Sequence, residues 1–179
     1  MSVKIKLSIL FTSLIFFLKY AHADDIREAN RLLSVTDMGS RFESKALDQT
    51  QKIIRTYTSI VNMSLSLILP QSVKSNIAKC YAEVYAWENF EPGITEIFAK
   101  NLSTREIRLL IDFYSNLGLP PMEIETFKNT IDKADKIEQS SIEYIFNNSI
   151  GCVERDAKII NNFIAVKNIN NSEELASNE

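Results

Sequence analysis

Ser103 and Glu106 stand three residues apart in the stretch NLSTREIRLLIDFYSNLGLPP, residues 101 to 121. A hydroxyl and a carboxylate at that spacing can serve a site, or they can close a helix start. In the second case the serine accepts from the amide of Glu106, and the glutamate reaches back to the amide of Ser103. Phe113 and Tyr114 form a polar-aromatic pair further along, before Gly118 and a double proline. Trp87 is the single tryptophan, with Tyr81, Tyr85 and Phe90 around it. Such a group can line a ligand groove, but rings of this size more often fill a core.

Catalytic chemistry is thinly represented. The chain has one histidine, His22, and it lies inside the leader-like N-terminus. Without it there is no imidazole for Ser-His-Asp or Cys-His catalysis, nor for the usual zinc sites. No glycine-rich phosphate loop, dinucleotide fingerprint or Asp-rich calcium loop is present, so no metal or cofactor is expected. Glu123/Glu125 and Glu173/Glu174 are spaced so that they do not share a helix face, and they read as solvated charges. Cys80 and Cys152 make an even pair, too distant for a CxxC redox motif. In an oxidising compartment such a pair reads as one disulfide.

The elements that position these residues are helical. Four glycines and four prolines are too few for an all-β or turn-rich α/β fold. The expected architecture is all-α, a single-domain antiparallel bundle of about five to seven helices. The first helix is expected from Ile26 to about Ser34, followed by a turn with Gly39 in left-handed geometry. The second runs from about Ser40 to Leu69 and stops at Pro70. The third runs from about Ser72 to Asn89, with Ile77, Cys80, Tyr81, Val84 and Trp87 on one stripe. A short helix reaches about Lys100. The next begins at the Ser103 cap, buries Ile107, Leu110, Ile111 and Tyr114, and ends with Gly118 at the left-handed C′ position. A last long pattern starts at Pro121, with a break or kink at Gly151. The domain closes near residue 167, and residues 168–179 are polar and expected to fray.

Residues 1–23 have the layout of a secretory signal peptide. Lys4 and Lys6 precede a short apolar run from Leu7 to Leu18, and Ala21-His22-Ala23 offers a small-x-small cleavage site. The run is shorter than the roughly 20 residues needed to span a bilayer. Cleavage removes Lys4, Lys6 and Lys19, so 20 basic residues become 17 against 23 acidic ones, a net charge of −6. An acidic chain without a basic cluster argues against nucleic acid and against anionic lipid. No stable membrane insertion is expected after cleavage.

The segment around Trp87, then Leu102-Ser103-x-x-Glu106-Ile107, then Phe113-Tyr114-Ser115-x-x-Gly118 resembles the bacterial family known as domain of unknown function (DUF) 2059. The resemblance covers about residues 85 to 125. It differs in having Leu102 where the family usually has an aromatic, and a displaced serine and proline around Gly118. It implies export and a helical fold, and it carries over no catalytic residue. The residues and the resemblance together predict a periplasmic or secreted protein of a Gram-negative bacterium, not an enzyme, acting by binding a protein partner. An immunity or inhibitor protein against a secreted toxic enzyme, an apolar-ligand carrier and a carboxylate-only hydrolase are the alternatives, and self-association is left open.

Overall fold

The computed structural model describes residues 23–149 and 151–176, and side chains as far as residue 169. The expected signal segment, including Ala21, lies outside the described residues, and Ala23 opens the first helix. The fold is all-α, and no strand occurs among the described residues. Helix α1 covers residues 23–35. It is followed by α2 (Met38–Leu65), α3 (Gln71–Val84), α4 (Glu91–Asn101), α5 (Thr104–Tyr114), α6 (Ile124–Ile131), α7 (Ala134–Asn148) and α8 (Cys152–Ala176). Single 3₁₀ turns lie at Trp87–Asn89 and Pro121–Glu123. None of these helices is long and apolar enough to cross a membrane.

Where the sequence predicts one core, the chain forms two compact units. One combines the described residues up to Ser40 with Phe90–Ile145, and the other combines Arg41–Asn89 with the described residues from Phe146 on. Apolar periodicity shows which helix face is buried but not which helix covers it, so the division is invisible in the pattern.

In the first unit Ala29, Leu32, Ala99, Leu102, Ile107, Leu110, Ile111 and Ile137 form the core. Polar bonds fasten α1 to its neighbours. Thr95 Oγ1 donates to Asn30 Oδ1 at 2.7 Å, Arg108 Nη2 pairs with Glu28 Oε1 at 3.1 Å, and the Thr104 hydroxyl donates to Asp25. Phe90 is fully buried and meets Tyr144 edge-on, with ring centroids 6.3 Å apart. Tyr144 also lies flat against Gly93, where an added Cβ would stand 2.1 Å from the ring. Gly93→Ala is therefore expected to destabilise by about 1–3 kcal/mol from overpacking, outweighing the gain in helix propensity. A lower urea midpoint checks this.

In the second unit Val61, Leu69, Val73, Ile77, Cys80, Tyr81, Cys152 and Ile160 form the core. Helix α2 ends at Leu65, short of the expected Leu69. Ser66 takes a left-handed φ of 53° and bonds its N–H to Asn62 O at 2.9 Å. The early stop lets Leu69 turn into the core, where it is 1% exposed. Pro70 then serves as the N-cap residue of α3 rather than as the end of α2.

Three further boundaries differ from expectation. Asp37, at φ 51°, takes the left-handed turn position expected of Gly39, which instead lies inside α2. The long helix after Pro121 is interrupted at Asp132-Lys133, giving α6 and α7. Helix α8 continues to Ala176, into the polar tail. Gly151, at φ 113°, does break the chain before α8, as its sequence position suggests.

Candidate functional site

Ser103 is the N-cap of α5, and the reciprocal box is complete. The Ser103 N–H donates to Glu106 Oε2 at 2.8 Å, and the Ser103 hydroxyl donates to the same oxygen at 2.9 Å. The sequence did not show the third member. Lys133, at the α6–α7 break, places Nζ 2.6 Å from Glu106 Oε1. Burial pushes the Glu106 carboxyl up, but the Lys133 ammonium and the two Ser103 donors together hold it below the usual carboxylate range. Both carboxylate oxygens are occupied by partners inside the unit, so this is a structural staple.

The C-terminal end of α5 departs from expectation. Buried positions are Glu106, Ile107, Leu109, Leu110 and Ile111, whereas Phe113 and Tyr114 are 45% and 50% exposed. Tyr114 is thus on the surface, not on the buried face. Phe113 meets Tyr114 edge-on at 5.4 Å and Phe127 at 4.9 Å. The helix closes in a Schellman motif. Leu117 N–H bonds to Asp112 O at 3.0 Å and Asn116 N–H to Phe113 O at 3.1 Å. Asn116, at φ 59°, holds the C′ position expected of Gly118, and Gly118 is left-handed two residues later at φ 79°. Glu123 is not a free surface charge, since Arg105 Nη2 pairs with its Oε1 at 2.6 Å.

Trp87 does not continue the stripe of α3. That helix ends at Val84, and Asn89 Nδ2 covers the carbonyls of Glu83 and Val84 at 2.9 and 3.2 Å. Trp87 is half-buried in the following 3₁₀ turn. Its ring lies 5.5 Å from Phe42, and its backbone N–H donates to Glu43 Oε1 at 3.1 Å.

Cys80 and Cys152 come together as expected, at disulfide distance with Cα atoms 5.9 Å apart. The pairing brings the first turns of α8 onto α3. One helical turn after Cys152, Asp156 enters the core with 0% exposure. The phenols of Tyr81 and Tyr57 approach it closely enough to favour its charge, yet neither carboxylate oxygen meets hydrogen-bond geometry with a donor. Burial dominates and holds the Asp156 carboxyl above its ordinary value. Burial and the Asp156 charge push both Tyr57 and Tyr81 up as well. Sequence reasoning missed Asp156. The available signal was an acid at an apolar position, one turn from Cys152 and before Ile159, Ile160 and Phe163.

Tyr81 also floors a surface groove between α2 and α3. The groove encloses about 550 Å³ and adjoins a second depression of about 250 Å³ that shares Ala46, Thr50, Tyr81 and Tyr85. Leu47, Ala78 and Ala82 line the larger part, and Glu43 is the one acid among its lining residues. Thr50 offers it no free hydroxyl proton, because Oγ1 donates back to Ala46 O at 2.8 Å. Neither Trp87 nor Tyr114 lines it. No group of three or more metal-ligating side chains occurs among the described residues.

No family model, curated protein or solved structure matches this chain.

Proposed function

We propose that the protein is an exported, non-enzymatic binding protein of an oxidising compartment, the periplasm of a Gram-negative bacterium, and that the α2–α3 groove seats an apolar helix face of a protein partner. The groove is the observation that carries this reading. Ala46, Ala78 and Ala82 keep its walls low, so a partner backbone can come close, while Glu43 and Lys79 supply charges of both signs among the lining residues. The Cys80–Cys152 pair is compatible with an oxidising compartment. The resemblance to the DUF 2059 family belongs to the same proposal. Hydrolysis by paired carboxylates gains nothing from a groove lined by a single acid. A second reading, an apolar-ligand carrier, is favoured by the volume, which falls in the range of small-molecule sites.

The discriminating variant is Ala82→Arg, at an exposed position that should not disturb folding. Immobilised wild-type protein is expected to retain a specific protein from periplasmic extract that Ala82→Arg releases. Identical capture by both would refute the groove as the partner site. Native mass spectrometry of the same two proteins tests the carrier reading, which requires a co-purified apolar molecule present in wild type and absent from the variant.

A further inference from the structure

Asp156 sits where its chemistry and its surroundings disagree. Its side chain is fully buried, and neither carboxylate oxygen is in full hydrogen-bond geometry with a donor, although the Tyr57 and Tyr81 phenols lie close enough to favour its charge. A charge in such a place is strongly disfavoured, and natural cores seldom keep one without a partner. The groups around it come from three helices. Tyr57 faces it from α2 and Tyr81 from α3. On α8 its neighbour Arg155 also favours the charge, but the guanidinium reaches toward Glu83 of α3, with Nη1 3.7 Å from Oε2. Both phenols are held above their ordinary range, so they stay protonated at neutral pH and Asp156 is the group of the three that changes charge.

The arrangement behaves differently in the two protonation states. A neutral Asp156 brings one O–H donor and one carbonyl acceptor to a cluster of two phenols, each of which can donate and accept. All three groups can then be satisfied without water. An ionised Asp156 has only acceptors, and two phenol protons must serve a dry carboxylate whose two oxygens can take about four hydrogen bonds. Water entering between α8 and α3 relieves that deficit. The disulfide one turn earlier prevents separation, so relief takes the form of local opening about a fixed point.

We propose that Asp156, Tyr57 and Tyr81 form a proton-operated latch that seats the first turns of α8 on α3, closed when Asp156 is protonated and loosened when it is ionised. Because Tyr81 also floors the groove, the latch would transmit pH to groove shape; that consequence rests on the binding reading above, whereas the latch itself does not.

The test uses the full disulfide-bonded chain without any ligand. Hydrogen exchange over residues 153–164, corrected for intrinsic rates, is compared at about pH 5 and about pH 8. The Asp156 side-chain carboxyl is titrated in parallel by ¹³C NMR. Between these two pH values wild-type protection is expected to fall about tenfold for each unit by which the carboxyl midpoint lies above pH 5, since the opened state is already ionised there. Asp156→Asn is expected to keep high protection at both pH values. A carboxyl midpoint in the ordinary range, pH-independent protection in wild type, or the same pH-dependent loss in Asp156→Asn would each overturn the latch. Should the variant not fold, the wild-type midpoint and protection decide the matter between them. A failure of the groove to bind any partner leaves these readouts untouched.

Discussion

Replacing both Cys80 and Cys152 with alanine is expected to lower the unfolding free energy by about 4 kcal/mol. The two cysteines are 72 residues apart in sequence, so the bond closes a long loop and removes much of the freedom of the unfolded chain. Both side chains lie in the core of the second unit, at 4% and 5% exposure. Alanine is the appropriate replacement, since serine would add a buried hydroxyl without a partner. The measurement is urea unfolding of the double variant against the oxidised wild type. Hydrogen exchange should locate the damage in α3 and α8, because the pair is the covalent tie between those helices. With the tie gone, Asp156 is kept in its unfavourable position only by the packing of neighbouring α8 side chains such as Ile160, and the start of α8 should lose protection first. A midpoint equal to that of wild type would mean that the pair is not bonded in the native protein.

The sequence made the local features legible and left the distant ones hidden. The Ser103–Glu106 box needs only three residues of spacing, and it is present with both of its bonds. Lys133 completes the same staple from 27 residues away, at a helix break that no breaker residue announces. Helical periodicity correctly placed Ile107, Leu110 and Ile111 inward. It also placed Tyr114 inward, because a pattern continues to the end of a helix even where the covering helix does not. The left-handed positions show a related limit. Glycine is the commonest residue there, so Gly39 and Gly118 were the natural expectations. Asp37 and Asn116 took those roles, and both belong to the small set of residues that tolerate positive φ. Asp156 is hidden in the sequence for the opposite reason. An acid inside a helix is read as surface by default, and only its register with Cys152, Ile160 and Phe163 marks it as buried.

Glu106→Gln is expected to cost about 2 kcal/mol at neutral pH. Glutamine is nearly isosteric and can still accept from the Ser103 N–H, so the cap largely survives. What disappears is the charge-assisted bond to Lys133, now 2.6 Å long, and bonds to charged groups contribute roughly 1.5–3 kcal/mol. The lower part of that range applies, because the Lys133 side chain is 40% exposed and water takes over some of its stabilisation. The pH dependence gives the sharper check. The folded carboxyl sits below its ordinary value, so the unfolded state takes up a proton first as pH falls. The stabilisation is complete above the unfolded glutamate value of about 4.3 and is lost as pH falls through the folded value. The gap between wild type and Glu106→Gln should therefore be constant near neutrality and close in acid. Asp156 contributes with the opposite sign, since its folded carboxyl is raised and its burden on stability eases as pH falls. Acid should thus weaken the α5 staple of the first unit while tightening α8 in the second, a divergence that residue-resolved hydrogen exchange can record. A double-mutant cycle with Lys133→Met isolates the pair. A coupling near zero, or a wild-type advantage that persists unchanged well below the folded glutamate value, would show that Lys133 does not hold Glu106 in its charged form.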